Sequence, residues 1–345
     1  MKVKGFLKDV GGASRVTKRR QQVYDEASSA PKPFDPIGET AKALHPGKIP
    51  CLLTSIKEAG PTAKTFRLEA PHLPYFKAGQ FLTIEVPIGE GLFTKPYSIC
   101  SAPASTRGEH PYVEITVRRN KGGGLVSDYL LDKAKVGDTY LCEVGLGEFH
   151  VDAIRDSKVV VALAGGSGIT PFLSMAREIA FGKLDIHLTI LFGSVSEDDI
   201  LLKEELEKCV GEKVKVIHVL SGENPSWKGE KGFLTAELIQ RYSEGDVTYF
   251  VCGPQAMYHF VSKELEKLSI PARRIRFEVF GGAKDISSYE GYPKEKINET
   301  YSLTILQGKK QTVIPAKASE PILLALERAG IKTHSACRSG ACGFC

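Results

Sequence analysis

The chain has 345 residues, 42% of them hydrophobic, with eight cysteines and a formal net charge of +5. That length suits two or three domains, and no apolar run approaches a membrane span, so no spanning helix is expected. Residues 1–30 lack a signal-peptide core, and the cysteines follow no regular disulfide framework; both point to a reducing compartment, the cytoplasm.

The charge is uneven. Residues 1–48 hold ten Lys/Arg and five Asp/Glu, a net of +5, so the remaining 297 residues sum to zero. Lys18-Arg19-Arg20 is the densest basic spot. Without interleaved aromatic residues it gives no nucleic-acid signature, and 1–48 reads as a solvated basic extension.

Short strands alternate with turns over the next stretch, at 51–56, 63–68, 81–86, 112–117 and 139–144. Their alternation predicts a small antiparallel β-barrel over 49–153. Two motifs stand out in it, Lys95-Pro96-Tyr97-Ser98 and Gly123-Gly124-Leu125-Val126-Ser127. A Tyr ring can stack on a planar cofactor, and a hydroxyl can bond a ring nitrogen. A glycine pair at a helix start, followed by Ser127, can offer amide and hydroxyl donors to a pyrophosphate. Taken singly, the two motifs read rather as a strand edge and a hairpin loop.

From residue 158 the texture changes. Residues 159–164 form a continuous apolar run, as in a buried parallel strand. Helices at 170–180, 200–209, 235–241 and 255–268 then alternate with strands at 188–192, 214–219 and 248–252, which predicts an open α/β sheet over 154–281. The first strand runs into Gly165-Gly166-Ser167-Gly168-Ile169-Thr170-Pro171. Glycines let the backbone approach a phosphate, and the following helix start favours the anion. Thr170 reads as a possible cap and Pro171 as a first-turn proline. The pattern is not G-x-G-x-x-G, which argues against an ordinary dinucleotide-dehydrogenase domain. A second apolar strand ends in Cys252-Gly253-Pro254, at the strand ends where such sheets bind ligands. Alone, Cys252 would be a buried structural thiol.

Residues 282–298 are polar, with Gly, Ser and Pro, and read as a linker. Over 299–345 the pattern predicts strands at 301–306 and 311–315 around a turn, then a helix at 321–329 with Ile322, Leu323, Leu326 and Ala329 on one stripe. The chain closes on Cys337-Arg-Ser-Gly-Ala-Cys342-Gly-Phe-Cys345. This C-x4-C-x2-C spacing holds three thiolate corners of a plant-type 2Fe–2S cluster. Structural zinc would want a second C-x2-C pair or a placed His, and neither follows. Three unrelated thiols in a tail remain the bland alternative.

Together and in this order, the motifs resemble the ferredoxin–NADP reductase superfamily, and the arrangement is similar to the reductase components of bacterial oxygenases. The resemblance covers 50–280 and continues into a partial β-grasp segment. It implies that Lys95 binds the flavin phosphate, Tyr97 packs on the isoalloxazine and Ser98 lies near flavin N5. The family has Arg where Lys95 stands, so charge is kept and the bidentate fork is lost. Gly123, Gly124 and Ser127 map to the pyrophosphate. Gly165, Gly166, Gly168, Thr170 and Pro171 map to the nucleotide turn. Cys252, Gly253 and Pro254 map beside the nicotinamide, with Cys252 packing there rather than acting as a nucleophile. Glu278 and Phe280 match an E-x-F/Y ending near the flavin.

The implied activity is an NAD(P)H:acceptor oxidoreductase: NADH gives a hydride to the flavin, and single electrons leave through Cys337, Cys342 and Cys345 and their cluster to a separate protein, an oxygenase or other redox enzyme. The Gly-Gly-Leu-Val-Ser loop suits the pyrophosphate of FAD, which FMN lacks. NADH is expected over NADPH, because residues 193–199, Gly-Ser-Val-Ser-Glu-Asp-Asp, are acidic and carry no base for a 2′-phosphate. A fourth cluster cysteine is expected about 30 residues beyond the third, and none follows Cys345. The chain therefore reads as a shortened form that holds little or no cluster, with 299–345 poorly packed unless docked on the other domains. A flavin-only NAD(P)H oxidoreductase is the alternative; the barrel and nucleotide motifs oppose a zinc-binding docking module.

Overall fold

The computed structural model describes residues 6–27, 35–44, 47–119, 123–278, 286, 291–308, 310–331, 333, 335 and 338. The chain divides into two units, 1–45 and 46–345. The first contains helices α1, Phe6–Asp25, and α2, Pro36–Leu44. Lys18, Arg19 and Arg20 are exposed on α1. No helix among the described residues is long and apolar enough to cross a membrane.

The second unit begins with six antiparallel strands, β1 (Lys48–Glu58), β2 (Ala63–Glu69), β3 (Phe81–Ile88), β4 (Gly91–Ser98), β5 (Tyr112–Arg118) and β6 (Thr139–Leu146), with helix α3 (Leu125–Asp132) between the last two. They pair in the order β4-β3-β6-β1-β2-β5. A bridge from Ile99 to Ile115 joins the two edge strands at one end, closing the barrel there. Alternate residues point inward: Leu53, Phe66, Leu68, Leu82, Ile84 and Ile115 fill the interior. Burying each such side chain contributes about 1.5–3 kcal/mol. The sequence pattern misses β4, because Lys95 and Pro96 interrupt its apolar alternation. Pro96 is tolerated because β4 is an edge strand.

An all-parallel sheet follows: β7 (Val159–Gly165), β8 (His187–Ser194), β9 (Val214–Leu220), β10 (Glu230–Lys231), β11 (Val247–Cys252) and β12 (Ile275–Glu278). Its order is β10-β9-β8-β7-β11-β12. Helices α4 (Thr170–Ala180), α5 (Lys203–Glu207), α6 (Ala236–Arg241) and α7 (Gln255–Lys267) connect the strands. Val160, Ala162 and Ala164 pack into one layer and Val161 and Leu163 into the other, so β7 is apolar on both faces. Helix 200–209 of the sequence reading shrinks to α5. Leu202 takes a left-handed φ of 56° and its N–H bonds the Ala59 carbonyl at 3.3 Å, tying that segment to the barrel instead. The chain order reverses between β7 and β11, so the sheet has its topological switch point there.

The last described elements are a hairpin, β13 (Thr300–Gln307) with β14 (Lys310–Lys317), and helix α8 (Ile322–Arg328). Gln307 pairs with Lys310 across a tight turn in which Gly308 has φ +61°. Leu324 packs against the barrel core, so this segment is docked rather than loose.

Candidate functional site

The two motif turns of the α/β sheet flank its switch point. β7 delivers Gly165 and β11 delivers Cys252, side by side, since Ala164 pairs with Cys252. Gly166–Ile169 forms a 3-10 turn that continues directly into α4. Gly168 must be glycine: a Cβ there would overlap the Cys252 carbonyl and the Gly253 amide. Gly166 has φ +52°, a left-handed conformation suited to glycine. Thr170 is not a helix cap. The 3-10 turn moves the helix start earlier, and the Thr170 hydroxyl donates to the Ser167 carbonyl at 3.0 Å. Pro171 sits in the first turn of α4.

Around Cys252 the contacts are tight. The Gly253 N–H donates to the Tyr258 hydroxyl at 3.1 Å, and that hydroxyl donates to the Glu278 carbonyl. Cys252 and Glu278 are register partners on β11 and β12, and both are buried. Burial first, then the Glu278 charge, pushes the Cys252 thiol well above its usual range. It stays protonated at neutral pH and cannot serve as a thiolate nucleophile. Pro254 is exposed at the start of α7.

The second motif lies on β4. Ser98 is buried, while Lys95 and Tyr97 are half-buried. The Tyr97 hydroxyl is buried and has no hydrogen-bond partner among the described residues, and burial, with Asp128 nearby, raises its pKa. An orphaned buried hydroxyl is costly unless something polar meets it, so this strand fits a polar, planar group such as a flavin. At the start of α3, Gly123 has φ +78°. The Gly124 N–H donates to Asp128 Oδ2 at 2.9 Å, and the Ser127 hydroxyl donates to the Gly124 carbonyl at 3.0 Å. Both donors expected to meet a pyrophosphate are thus turned inward, and an incoming phosphate would have to take the place of the Asp128 carboxylate. Arg119, 3.1 Å from Asp128, supplies positive charge at the same spot.

A buried polar seam joins the two motifs. From α4, Ser174 donates to the Ser101 carbonyl at 2.7 Å and Arg177 to the Cys100 carbonyl at 2.9 Å. These carbonyls lie three and two residues past Ser98. Arg177 also meets Glu114 Oε2 at 3.0 Å, while Arg67 holds Glu114 Oε1 at 2.9 Å. Burial pushes the Cys100 thiol up to about 12, with Arg177 opposing. The helix that starts at the glycine turn is therefore bonded to the chain leaving the Lys95–Ser98 motif.

Sequence reasoning missed several residues here. Arg118, at the end of β5, forms an ion pair with Asp199, and its Nη1 is 2.8 Å from where a Gly166 Cβ would stand. The acidic run after β8 is thus not without a base: Arg118 meets Asp199, and Lys203 meets Glu197 at 3.0 Å. The signal was two arginines just ahead of the glycine pair. Tyr258, Arg177 and Glu114 had no comparable signal, since their roles depend on tertiary contacts. Phe280 and the cysteines 337, 342 and 345 lie outside the described residues. By chemistry, soft thiolates suit an iron–sulfur cluster, and these three would supply three of the four ligands that a 2Fe–2S cluster takes.

Comparisons with known proteins agree with this architecture. Residues 50–151 match the oxidoreductase FAD-binding domain family, 162–263 the oxidoreductase NAD-binding domain family, and 305–345 the 2Fe-2S iron-sulfur cluster binding domain family. NADH-cytochrome b5 reductase 2 of Xenopus laevis is 30% identical over 258 residues, which is 65% of this chain and 86% of that protein. The glycine betaine monooxygenase reductase subunit of Chromohalobacter salexigens is 27% identical over 303 residues, covering 81% of this chain and 78% of the relative. The solved structure of phthalate dioxygenase reductase, described as modular for electron transfer from pyridine nucleotides to [2Fe-2S], is 26% identical. It superposes with a TM-score of 0.64 over 87% of this chain and 86% of its own. The chain is an oxidoreductase with FAD-binding, NAD-binding and 2Fe–2S domains. It belongs to the ferredoxin–NADP reductase superfamily, in the form with a C-terminal 2Fe–2S domain.

Proposed function

We propose that this reductase takes electrons from NADH through FAD and a 2Fe–2S cluster and delivers them to a separate redox protein. The observation that carries the reading is the seam: Ser174 and Arg177 of the glycine-turn helix bond the carbonyls just past Ser98. Ligands at the switch point and on β4 would face each other across it. The working organisation is a basic extension at 1–48, a flavin barrel at 49–153, a nucleotide domain at 154–281, a linker at 282–298 and the 2Fe–2S domain at 299–345.

When bound, flavin accepts a hydride from the nicotinamide and releases electrons one at a time, and the cluster relays them singly. The chain's own residues position and insulate. Lys95 holds the flavin phosphate, Tyr97 presents its ring, and the buried Ser98 hydroxyl offers a hydrogen bond at the reacting edge. Gly165, Gly166 and Gly168 let the nucleotide phosphates approach the backbone, and Arg118 lends positive charge. Cys252, with Gly253 and Pro254 behind it, stays a neutral thiol, and its bulk excludes water. Glu278 closes the same wall.

NADH is favoured over NADPH because Arg118 is already engaged by Asp199, and Asp198 adds an exposed negative charge beside it. The acceptor is a redox protein of the kind that oxygenase reductase subunits serve; the named relatives support that class. In a steady-state assay the expected result is a higher kcat/KM for NADH, and a higher value for NADPH would refute this part.

A further inference from the structure

Besides the apolar contact of Leu324, a polar cluster ties the C-terminal segment to the barrel. Thr94 is on β4, an edge strand whose outward N–H and C=O have no strand partner. Glu327 Oε1 of α8 accepts from the Thr94 N–H at 3.1 Å. Arg338 Nη1 donates to the Thr94 carbonyl at 2.5 Å and also to Glu327 Oε1, while its Nη2 meets Glu327 Oε2 at 2.8 Å. A carboxylate and a guanidinium thus supply the acceptor and donor that a neighbouring strand would supply. Both side chains are largely withdrawn from solvent, 5% exposed for Glu327 and 12% for Arg338. Arg338 adopts a left-handed φ of 61°, which a residue with a side chain accepts only when its surroundings hold it there. Two features place this contact in the redox region. Thr94 immediately precedes the Lys95–Ser98 motif, and Arg338 immediately follows Cys337.

We propose that Glu327 and Arg338 are positioning residues: together they latch the 2Fe–2S segment onto the flavin strand by gripping the Thr94 main chain. The proposal rests on the reading of β4 as the flavin strand, and its main readout, exchange at the Thr94 amide, does not require bound flavin.

Hydrogen exchange at the Thr94 amide, measured on the full chain, reports the latch. Glu327→Ala should speed it about tenfold or more, and Glu327→Gln, which keeps the shape, roughly threefold. The decisive variant is the double swap Glu327→Arg with Arg338→Glu. It retains an internal ion pair but sets donor against the Thr94 N–H and acceptor against its carbonyl. A latch predicts fast Thr94 exchange in the swap, with the Leu303 and Ile314 amides of the hairpin still protected and NADH-driven flavin bleaching retained. Swap protection equal to wild type would overturn the proposal, because the pair would then serve only its own segment. So would unchanged Thr94 exchange in both single variants. Failure of NADH to bleach flavin in the wild-type protein would overturn the reductase reading and leave the exchange result standing.

Discussion

At Gly168 the margin is a single carbon. A Cβ would overlap the Cys252 carbonyl, so the turn and the end of β11 must part to admit it. Gly168→Ala should cost about 1–3 kcal/mol of stability and raise the KM for NADH more than it lowers kcat. Thermal melts and steady-state kinetics check this; an unchanged KM would remove Gly168 from the nucleotide turn. The buried thiols give a pH signature. Cys100 titrates near 12 in the fold against 9.0 ordinarily, and Cys252 is also raised. The folded state then holds protons that the unfolded chain releases, so stability is fully present below pH 9 and falls as pH rises toward 12. The melting temperature should decline over that window, and less steeply in Cys100→Ala. Ser127→Ala should weaken flavin retention, because it removes the hydroxyl that braces the Gly124 carbonyl in the loop proposed to hold the pyrophosphate; retention equal to wild type would argue that the loop does not hold it.

Elements differ in how openly the sequence states them. β7 was legible because both its faces are buried, leaving an uninterrupted apolar run. The alternating barrel strands were legible for the complementary reason, one face in and one face out. β4 was not, since Lys95 and Pro96 break the alternation at the very strand that carries the flavin motif. β12 was too short to register, and α5 was overcalled because nothing local announces the left-handed Leu202. The glycine turns could be placed from sequence alone, but not the Thr170 hydroxyl, whose direction depends on where the 3-10 turn ends. The seam was invisible, as Glu114, Arg67 and Arg177 are far apart in the chain. It also couples α4 to the barrel. Arg177→Met removes one cation from a carboxylate that keeps Arg67, so about 1–3 kcal/mol should be lost. Flavin reduction by NADH should slow at saturating NADH, because α4 loses its hold on the Cys100 carbonyl. A rate equal to wild type in stopped-flow would show that the seam supports folding alone.

At the scale of the whole molecule, three folds follow in series: a FAD-binding barrel, a NAD-binding parallel sheet and a C-terminal 2Fe–2S domain. The barrel and the parallel sheet meet along a buried polar seam, and the C-terminal hairpin and helix sit on the barrel's open edge through Leu324, Glu327 and Arg338. The C-terminal segment thus bonds β4 itself, and α4 bonds the chain just past it. Flavin held on β4 should be reduced by NADH from the switch point of the sheet. Anaerobic mixing of the purified chain with NADH, followed at the flavin absorption band, measures this. The expected result is rapid bleaching, faster with NADH than with NADPH, and a heat-released flavin that migrates as FAD. Flavin that stays oxidised in the presence of NADH, or a released flavin that migrates as FMN, would contradict it.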